Sequence, residues 1–233
     1  MSYSWNGLTA PGEHGATTHT VGRKRPGLDN HYYATLRRPN VKVVPYGLAE
    51  VQSNSVVAAD GSEHEVDVVI FATGFHVVSS LPFADQIGGR SGRTLGEDWG
   101  DEPNASLGTS IAGFPNAFMP FGPNSAGPSG FATSEAQVKH LVRAVRTMKL
   151  QKLSQIEVKP DVQNALKQEC DTRLAGSSWN AGGCSGYCLS PAGTNCFVWP
   201  GTMKEFLDRG IAFSLDDYVT TPKLPVSAES RAV

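Results

Sequence analysis

The sequence predicts an α/β protein in which apolar strands lead through glycine-rich turns into helices. Residues 66–72, VDVVIFA, form an apolar run without alternation, which is typical of a central parallel strand covered on both faces. Residues 117–122, AFMPFG, predict a second apolar strand. The glycine-rich stretch GPNSAGPSG follows it, and the apolar spacing after that stretch predicts a helix over residues 131–150. A strand, a glycine-rich turn and a helix in this order are typical of ligand-binding α/β folds.

The elements before the first strand are short. Residues 1–20 are polar and lack periodicity, which predicts a flexible N-terminal arm. A basic cluster and a Pro-Gly turn precede a short helix over residues 30–36, and the β-branched run VKVVPYG predicts a strand over residues 41–47. Asp60-Gly61 marks the turn of a hairpin that leads into the central strand.

The elements after the first strand are spaced more widely. The long loop over residues 79–116 indicates a functional or interface role. A helix is predicted over residues 160–174, where proline occupies the first position, and a short helix over residues 202–209. Between them, NCFVWP resembles a strand. We expect four regions: the arm at 1–20, a cofactor-domain part at 21–150, a helical and cysteine-rich cap at 151–212, and a flexible tail at 213–233.

Composition excludes several classes of function. The 233 residues have a formal net charge of -2 with 18% charged residues, which gives no basic footprint for nucleic acid. No apolar run reaches the length of a membrane span, and the N-terminal sequence does not have the pattern of a secretory signal, so the expected location is cytoplasmic. Neither a nucleic acid nor a membrane is an expected partner.

The four cysteines indicate reduced or buried thiols rather than a metal site. They are Cys170, Cys184, Cys188 and Cys196. A zinc site usually has tighter Cys-x-x-Cys pairs or neighbouring histidines, and no histidine follows His140. We therefore expect no metal, and a metal-bound cysteine module stays as a minor alternative.

Three stretches are candidates for a ligand site. Ala72-Thr73-Gly74 ends the first strand in small residues, which let a backbone approach a ligand closely. GPNSAGPSG joins a strand to a helix, where backbone N–H groups and the positive helix end favour an electron-rich ligand. Arg23-Lys24-Arg25 could bind phosphate or an oxyanion. Each stretch also has an alternative without a ligand. The first could be a turn that serves only packing, the second a flexible connector, and the third a run of charges exposed to solvent.

Several ordered motifs together resemble the C-terminal half of a Baeyer–Villiger-type flavin monooxygenase. They are GRKRP, HYY, DGSEHEVDVVIFATGFHV, GFPNAFMPFGPNS and the tail WNAGGCSGYCLSPAGTNCFVWPG, which together cover about residues 20–210. The tail resembles the closing motif of the 4-hydroxyacetophenone monooxygenase-like branch. The resemblance implies part of a Rossmann-like fold with two dinucleotide-binding sites, here as a C-terminal part with a mixed sheet and helices.

The resemblance also implies cofactors and roles for individual residues. The cofactors are FAD and NADP, and the substrate is a small ketone or a molecule with an oxidisable heteroatom. Arg25 is the implied catalytic residue, since a fixed cation beside a developing oxyanion stabilises it by about 3 kcal/mol in a dry site. Lys24 is expected to reach the NADP ribose phosphate. The remaining expected cofactor contacts are Thr73, Gly74, Gly122, Pro123, Asn124, Ser129 and Gly130.

The sequence departs from this family in respects that bear on function. In the tail, Gly186 and Thr194 stand where the family motif has tryptophan and arginine, which puts NADP binding in doubt. GxGxxG, the glycine-rich loop that holds a dinucleotide, does not occur in the 233 residues. Three interpretations stay open: a monooxygenase, a non-catalytic remnant or split-enzyme subunit that needs a separate N-terminal half, and a small cysteine-centred module. We expect the isolated chain to bind FAD poorly and its unpaired central strand to stay exposed.

Overall fold

The protein forms two compact units, Met1–Gly74 and Phe75–Val233. The computed structural model describes residues 29–73, 77, 81–181 and 187–224. No helix within these ranges is long and apolar enough to span a membrane.

Residues 29–73 of the first unit contain one short helix and a small antiparallel sheet. Helix α1 spans Tyr32–Leu36, and strands β1 (Leu48–Val51), β2 (Ser55–Ala58) and β3 (Glu63–Glu65) pair in that order. The predicted hairpin is confirmed, because Asp60-Gly61 connects β2 to β3 and Gly61 has a φ of 84°. The strand predicted over residues 41–47 is wrong: that segment is irregular, and the first strand begins at Leu48.

The apolar run at residues 66–72 is not a paired strand. Val68, Ile70 and Phe71 are 74%, 86% and 67% exposed, and the segment has no strand assignment. The prediction of a covered parallel strand is therefore wrong for this chain. The physical reason is that none of the described strands pairs with it. The Val66 amide donates to the Asn54 carbonyl at 3.0 Å, but no ladder continues from there, and an apolar strand needs paired neighbours.

The second unit begins with a loop-rich region that has its own small core. Helix α2 (Leu95–Trp99) starts with a capping box between Thr94 and Glu97, which satisfies two orphan amides. A buried apolar cluster links the turns on both sides of this helix; its members are Ala84, Leu95, Trp99, Ala105, Ile111 and Phe114. The long loop predicted over residues 79–116 is thus compact from residue 81 onward.

Four further α-helices and one strand pair occur in the described part of the second unit. The helices are α3 (Gly130–Leu150), α4 (Pro160–Leu174), α5 (Ser178–Ala181) and α6 (Met203–Ile211). Strands β4 (Leu153–Val158) and β5 (Tyr218–Pro222) pair antiparallel. The helices predicted over 131–150, 160–174 and 202–209 are confirmed within one or two residues. The sequence predicts a flexible tail from residue 213, whereas residues 218–222 form β5.

Two further strand predictions are wrong. Residues 117–122 form turns with a single bridge, Ser110–Phe118. NCFVWP contributes two isolated bridges, an antiparallel one between Leu189 and Asn195 and a parallel one between Ala126 and Val198. In both segments, hydrogen bonds to side chains and to irregular backbone replace a strand ladder.

Helix α3 presents a different inner face from the one that its valines suggest. The spacing of Val138, Val142 and Val145 correctly predicts a helix, but all three side chains are exposed. The face that packs on the unit is instead small or polar and consists of Thr133, Ala136, Gln137, His140 and Ala144. Small residues let α6 approach closely: a Cβ on Gly210 would lie 3.1 Å from that of Ala136.

Candidate functional site

The glycine-proline turn, residues 122–130, joins residue 121 to helix α3 and contains five of the predicted site residues. Gly122, Pro123 and Asn124 open it, and Ser129 and Gly130 close it. Ser129 is the N-cap of α3, where its Oγ accepts a hydrogen bond from the Ala132 amide at 3.3 Å. These five residues therefore lie in one connection that leads into α3, although turns stand before it where the sequence predicts a strand.

The start of α3 leaves backbone donors available. No acceptor for the amides of Gly130 and Phe131 is found among the described residues. The first amides of a helix have no partner inside the helix, and their positive dipole end favours an electron-rich ligand. The chemistry of this donor set fits the electron-rich edge of a flavin ring.

The opening of the turn is held against the segment around residues 195–198. The Asn124 amide donates to the Cys196 carbonyl at 2.8 Å, and the Asn124 side chain donates to the carbonyls of Asn195 and Val198 at 2.9 and 3.2 Å. Both side-chain donors of Asn124 are therefore used within the protein. Asn124 shapes the turn and has no donor left for a ligand.

Glycine at position 122 is required by the packing of the protein itself. A Cβ there would lie 2.6 Å from the Gly108 carbonyl oxygen and 2.6 Å from the Met119 sulfur, distances that real side chains do not adopt. The Gly122 amide donates to the same Gly108 carbonyl at 3.0 Å. Gly130 faces the Phe121 ring, which a Cβ would approach to 3.2 Å. These two glycines bring the turn close to neighbouring backbone and ring.

The backbone around the turn is unusually strained. Leu107, Phe121 and Asn124 have φ angles of 51°, 62° and 50°, in the left-handed region that side chains disfavour. Such conformations persist where the surroundings determine them, and they cluster at functional sites.

Two buried polar atoms near the turn have no hydrogen-bond partner among the described residues. They are Thr133 Oγ1 in the first turns of α3 and Asn195 Nδ2. Thr133 Oγ1 would lie 3.7 Å from a Cβ on Gly127, so it borders the turn directly. Unsatisfied buried polar groups are rare, and here they mark the wall of the candidate site.

The other predicted site residues are not part of this turn. Arg25, Lys24 and Gly74 fall outside the described residues. Thr73 is exposed and belongs to the first unit, whereas the glycine-proline turn belongs to the second.

Sequence reasoning missed Gln137 and Asn195, which hold the turn. Asn195 Oδ1 accepts from the amides of Phe197 and Val198 at 3.2 and 3.0 Å. Gln137 is 1% exposed and bonds to the backbone of Phe121, which directly precedes the turn, and of Leu107 and Gly108. Its signal in the sequence is a polar residue between Ala136 and His140 on one helix face, which the exposed valines obscured.

A second cluster of titratable groups lies in a cavity of about 440 Å³ between α3, α4 and α6. His140 Nδ1 lies 3.1 Å from the Ala212 carbonyl, which accepts only, so Nδ1 carries the proton. Nε2 then accepts from the Tyr218 hydroxyl at 2.8 Å, and that oxygen in turn accepts from Ser110 at 3.1 Å. Burial lowers the pKa of His140 and raises the pKa of Tyr218 to about 12. Because these groups satisfy one another, the network stabilises the fold.

The buried thiols are poor metal ligands in their present state. Burial raises the pKa of Cys170 to about 12 and the pKa of Cys196 to about 11, which favours the protonated form. Within the described ranges no three His, Cys, Asp or Glu side chains group as metal ligands. Cys184 lies outside those ranges.

Comparison with known proteins finds relatives that are named as monooxygenases. The chain is 35% identical over 215 residues to a Baeyer–Villiger monooxygenase of Streptomyces coelicolor, covering 91% of this chain and 41% of that protein. It is 37% identical over 150 residues to phenazine N-monooxygenase PhzNO1 of Lysobacter antibioticus, covering 63% and 28%. No family model matches the chain.

Solved structures agree with these relatives. Cyclohexanone monooxygenase from Rhodococcus sp. Phi1, bound to NADP+, superposes with a TM-score of 0.69 at 28% identity and covers 86% of this chain and 39% of that one. This match confirms the predicted α/β fold class, of which the chain has a part. The chain spans about two fifths of the length of these relatives. Sequence and fold together place it in the Baeyer–Villiger-type monooxygenase family, as a C-terminal portion of the longer family members.

Proposed function

We propose that this chain supplies the C-terminal wall of the flavin site in an FAD- and NADPH-dependent monooxygenase. The reaction is insertion of oxygen beside a small ketone or oxidation of a heteroatom. The supporting observation is the glycine-proline turn, where strained backbone, close glycine packing and two available amides meet at the start of α3. The named relatives include both a Baeyer–Villiger and an N-oxidising enzyme, so both chemistries stay in the proposal.

The amides of Gly130 and Phe131 would hold the electron-rich edge of the flavin ring. When bound, FAD supplies the oxygen chemistry, and the protein supplies orientation and charge. Arg25 would place a fixed cation at the reacting centre, and Lys24 would bind the NADP ribose phosphate. Thr73 and Gly74 would line the boundary between the two cofactors.

The partner in this proposal is the N-terminal dinucleotide-binding half, on the same or a separate polypeptide. Its GxGxxG loops would bind the dinucleotides. The GxGxxG motif does not occur in these 233 residues. The relatives are about two and a half times longer than the segment that they share with this chain. Large exposed apolar surfaces usually mark interfaces, and each unit has one.

The apolar stripe of α3 is the docking surface that we assign in the second unit. It consists of Phe131, Val138, Val142 and Val145, which recur at intervals of seven, four and three residues and so lie on one side of the helix. Phe131 is 93% exposed, and the valines are 41–52% exposed. In the first unit, the exposed segment at residues 68–71 offers unpaired backbone and apolar side chains.

Flavin titration tests the proposal. FAD is titrated into the chain alone and into the chain mixed with the N-terminal segment of the Streptomyces coelicolor relative. We expect weak binding alone and stoichiometric binding in the mixture, followed by NADPH consumption with an aryl ketone. Absence of flavin binding in both samples would refute the proposal, and stoichiometric binding by the chain alone would refute the need for a second half.

A pair of α3 variants tests the docking surface. Val142→Glu places a charge on the apolar stripe and should abolish binding of the N-terminal segment while leaving the chain folded, because position 142 is exposed. Lys139→Glu places the same charge beside the stripe and breaks only an exposed pair with Glu135. Equal binding by the two variants would argue against the stripe.

A further inference from the structure

We infer that Gln137 is a positioning residue that holds the glycine-proline turn in its ligand-binding geometry. The inference rests on the proposed function and assigns that function a residue outside the turn. Gln137 lies on the inner face of α3, two helical turns after Gly130, and is 1% exposed.

The side chain of Gln137 joins two separate stretches of backbone. Its Oε1 accepts from the Phe121 amide at 2.7 Å, and its Nε2 donates to the carbonyls of Leu107 and Gly108 at 2.8 and 3.2 Å. An amide N–H needs an acceptor and a carbonyl needs a donor, so these partners allow only one orientation of the carboxamide. One side chain therefore fixes the spacing between residue 121 and residues 107–108.

All three backbone positions held in this way have a positive φ, which is unfavourable for the two that are not glycine, Leu107 and Phe121. Leu107, Gly108 and Phe121 have φ angles of 51°, 61° and 62°. Residues other than glycine leave this region unless their surroundings hold them. The hydrogen bonds of Gln137 provide such a restraint. They hold these backbone conformations directly, in addition to the packing around them.

The restraint extends into the turn through a shared acceptor. The Gly108 carbonyl accepts from Gln137 and also from the Gly122 amide at 3.0 Å. The Gly122 carbonyl accepts from Ser125 Oγ at 2.6 Å. A displacement at Gln137 would therefore pass through Gly108 to Gly122 and on to Ser125, and would change where the turn lies relative to the start of α3.

Gln163 provides a matched comparison. It is also a buried glutamine on a helix, α4, and its Oε1 accepts from the Ala112 amide at 2.7 Å. None of its hydrogen bonds in the described structure goes to the turn. The two glutamines thus share burial and chemistry and differ in what they hold.

Amide hydrogen exchange on the chain alone tests the restraint without any flavin. Gln137→Met keeps the side-chain length and removes every hydrogen bond, and Gln163→Met is the control. We expect exchange at Phe121 and Gly122 to rise at least tenfold more in Gln137→Met than in Gln163→Met, after correction for global unfolding measured in urea. Equal rises in the two variants would overturn the inference.

Gln137→Glu covers the case in which Gln137→Met does not fold. It retains an acceptor for the Phe121 amide but turns a carboxylate oxygen toward the carbonyls of Leu107 and Gly108. We expect faster exchange at Gly122 than in the wild type, with smaller change at Phe121. Wild-type exchange at Gly122 would count against the inference.

Flavin affinity, measured in the mixture with the N-terminal segment, tests the functional consequence. We expect Gln137→Met to raise the Kd for FAD tenfold or more and Gln163→Met to change it less than twofold. If the wild-type mixture binds no FAD, the proposed function fails whatever Gln137 does. If it binds FAD and the two variants bind alike, the role of Gln137 fails and the proposed function stands.

Discussion

The side-chain amide of Asn124 donates to the backbone carbonyl of Asn195 at 2.9 Å, across 71 residues of chain. Asn124 has a φ of 50°, a conformation that asparagine and aspartate tolerate better than other side chains. This contact attaches the glycine-proline turn to the segment that precedes α6.

Asn124→Asp should destabilise the second unit. Aspartate keeps the shape and the backbone preference but removes both donors, so the carbonyls of Asn195 and Val198 lose their partner and face a charge. We expect the free energy of unfolding in urea to fall by about 2–3 kcal/mol. Asn116→Asp is the control, since Asn116 has a φ of 60° and also donates to a carbonyl, that of Ser154, but is exposed to water. Asn116→Asp should lower the free energy of unfolding by less than about 1 kcal/mol. Equal losses in the two variants would contradict the idea that burial makes the Asn124 bonds more important.

Gly122→Ala should separate the turn from Gly108. The added methyl group would overlap the Gly108 carbonyl, which cannot move away without breaking its bonds to Gly122 and Gln137. We expect a loss of about 1–3 kcal/mol in the free energy of unfolding, the usual cost of overpacking. Gly88→Ala meets no atom within 4 Å and should be neutral or slightly stabilising. Thermal unfolding of both variants checks the comparison.

Arg209→Lys should weaken the contact between α4 and α6. Arg209 forms two parallel bonds to Glu169, at 2.8 and 2.9 Å, and its guanidinium lies over the Trp199 ring. Lysine cannot reproduce a planar fork, so we expect a loss of about 1 kcal/mol in urea unfolding. Lys204→Ala removes an exposed pair with Asp208 and should cost less than about 0.5 kcal/mol. A larger loss in the free energy of unfolding for Lys204→Ala than for Arg209→Lys would contradict this prediction.

His140 should make stability depend on pH below about 6.5. Burial lowers its pKa in the folded state, so the unfolded chain takes up a proton at a higher pH than the folded chain does. Stability is therefore complete above the unfolded pKa of about 6.5 and falls as the pH is lowered, by at most about 1.4 kcal/mol per pH unit. His140→Gln should be less stable at pH 8 but should show a flatter slope in this window. An unchanged slope would assign the dependence to another group.

The sequence predicted the helices well and the strands poorly, for physical reasons. Helices α3, α4 and α6 form hydrogen bonds locally, and their caps and periodicity are contained in adjacent residues. The run at residues 66–72 has the composition of a covered strand, but pairing depends on neighbours that composition cannot supply. The five turn residues were brought together because they are adjacent in sequence. Gln137 and Asn195 were missed because their partners lie 16 to 71 residues away.

The hydrogen bond between Asn124 and Asn195 also means that, during translation, α3 can form before the turn that precedes it. Helix α3 can form as soon as its own residues leave the ribosome, but the turn before it cannot close until residues 195–198 have emerged. Closing so large a loop is entropically slow, so the turn should be among the last parts to mature. Premature termination before residue 195 would release a chain that contains the residues of α3 and α4 but lacks α6 and cannot close the turn before α3.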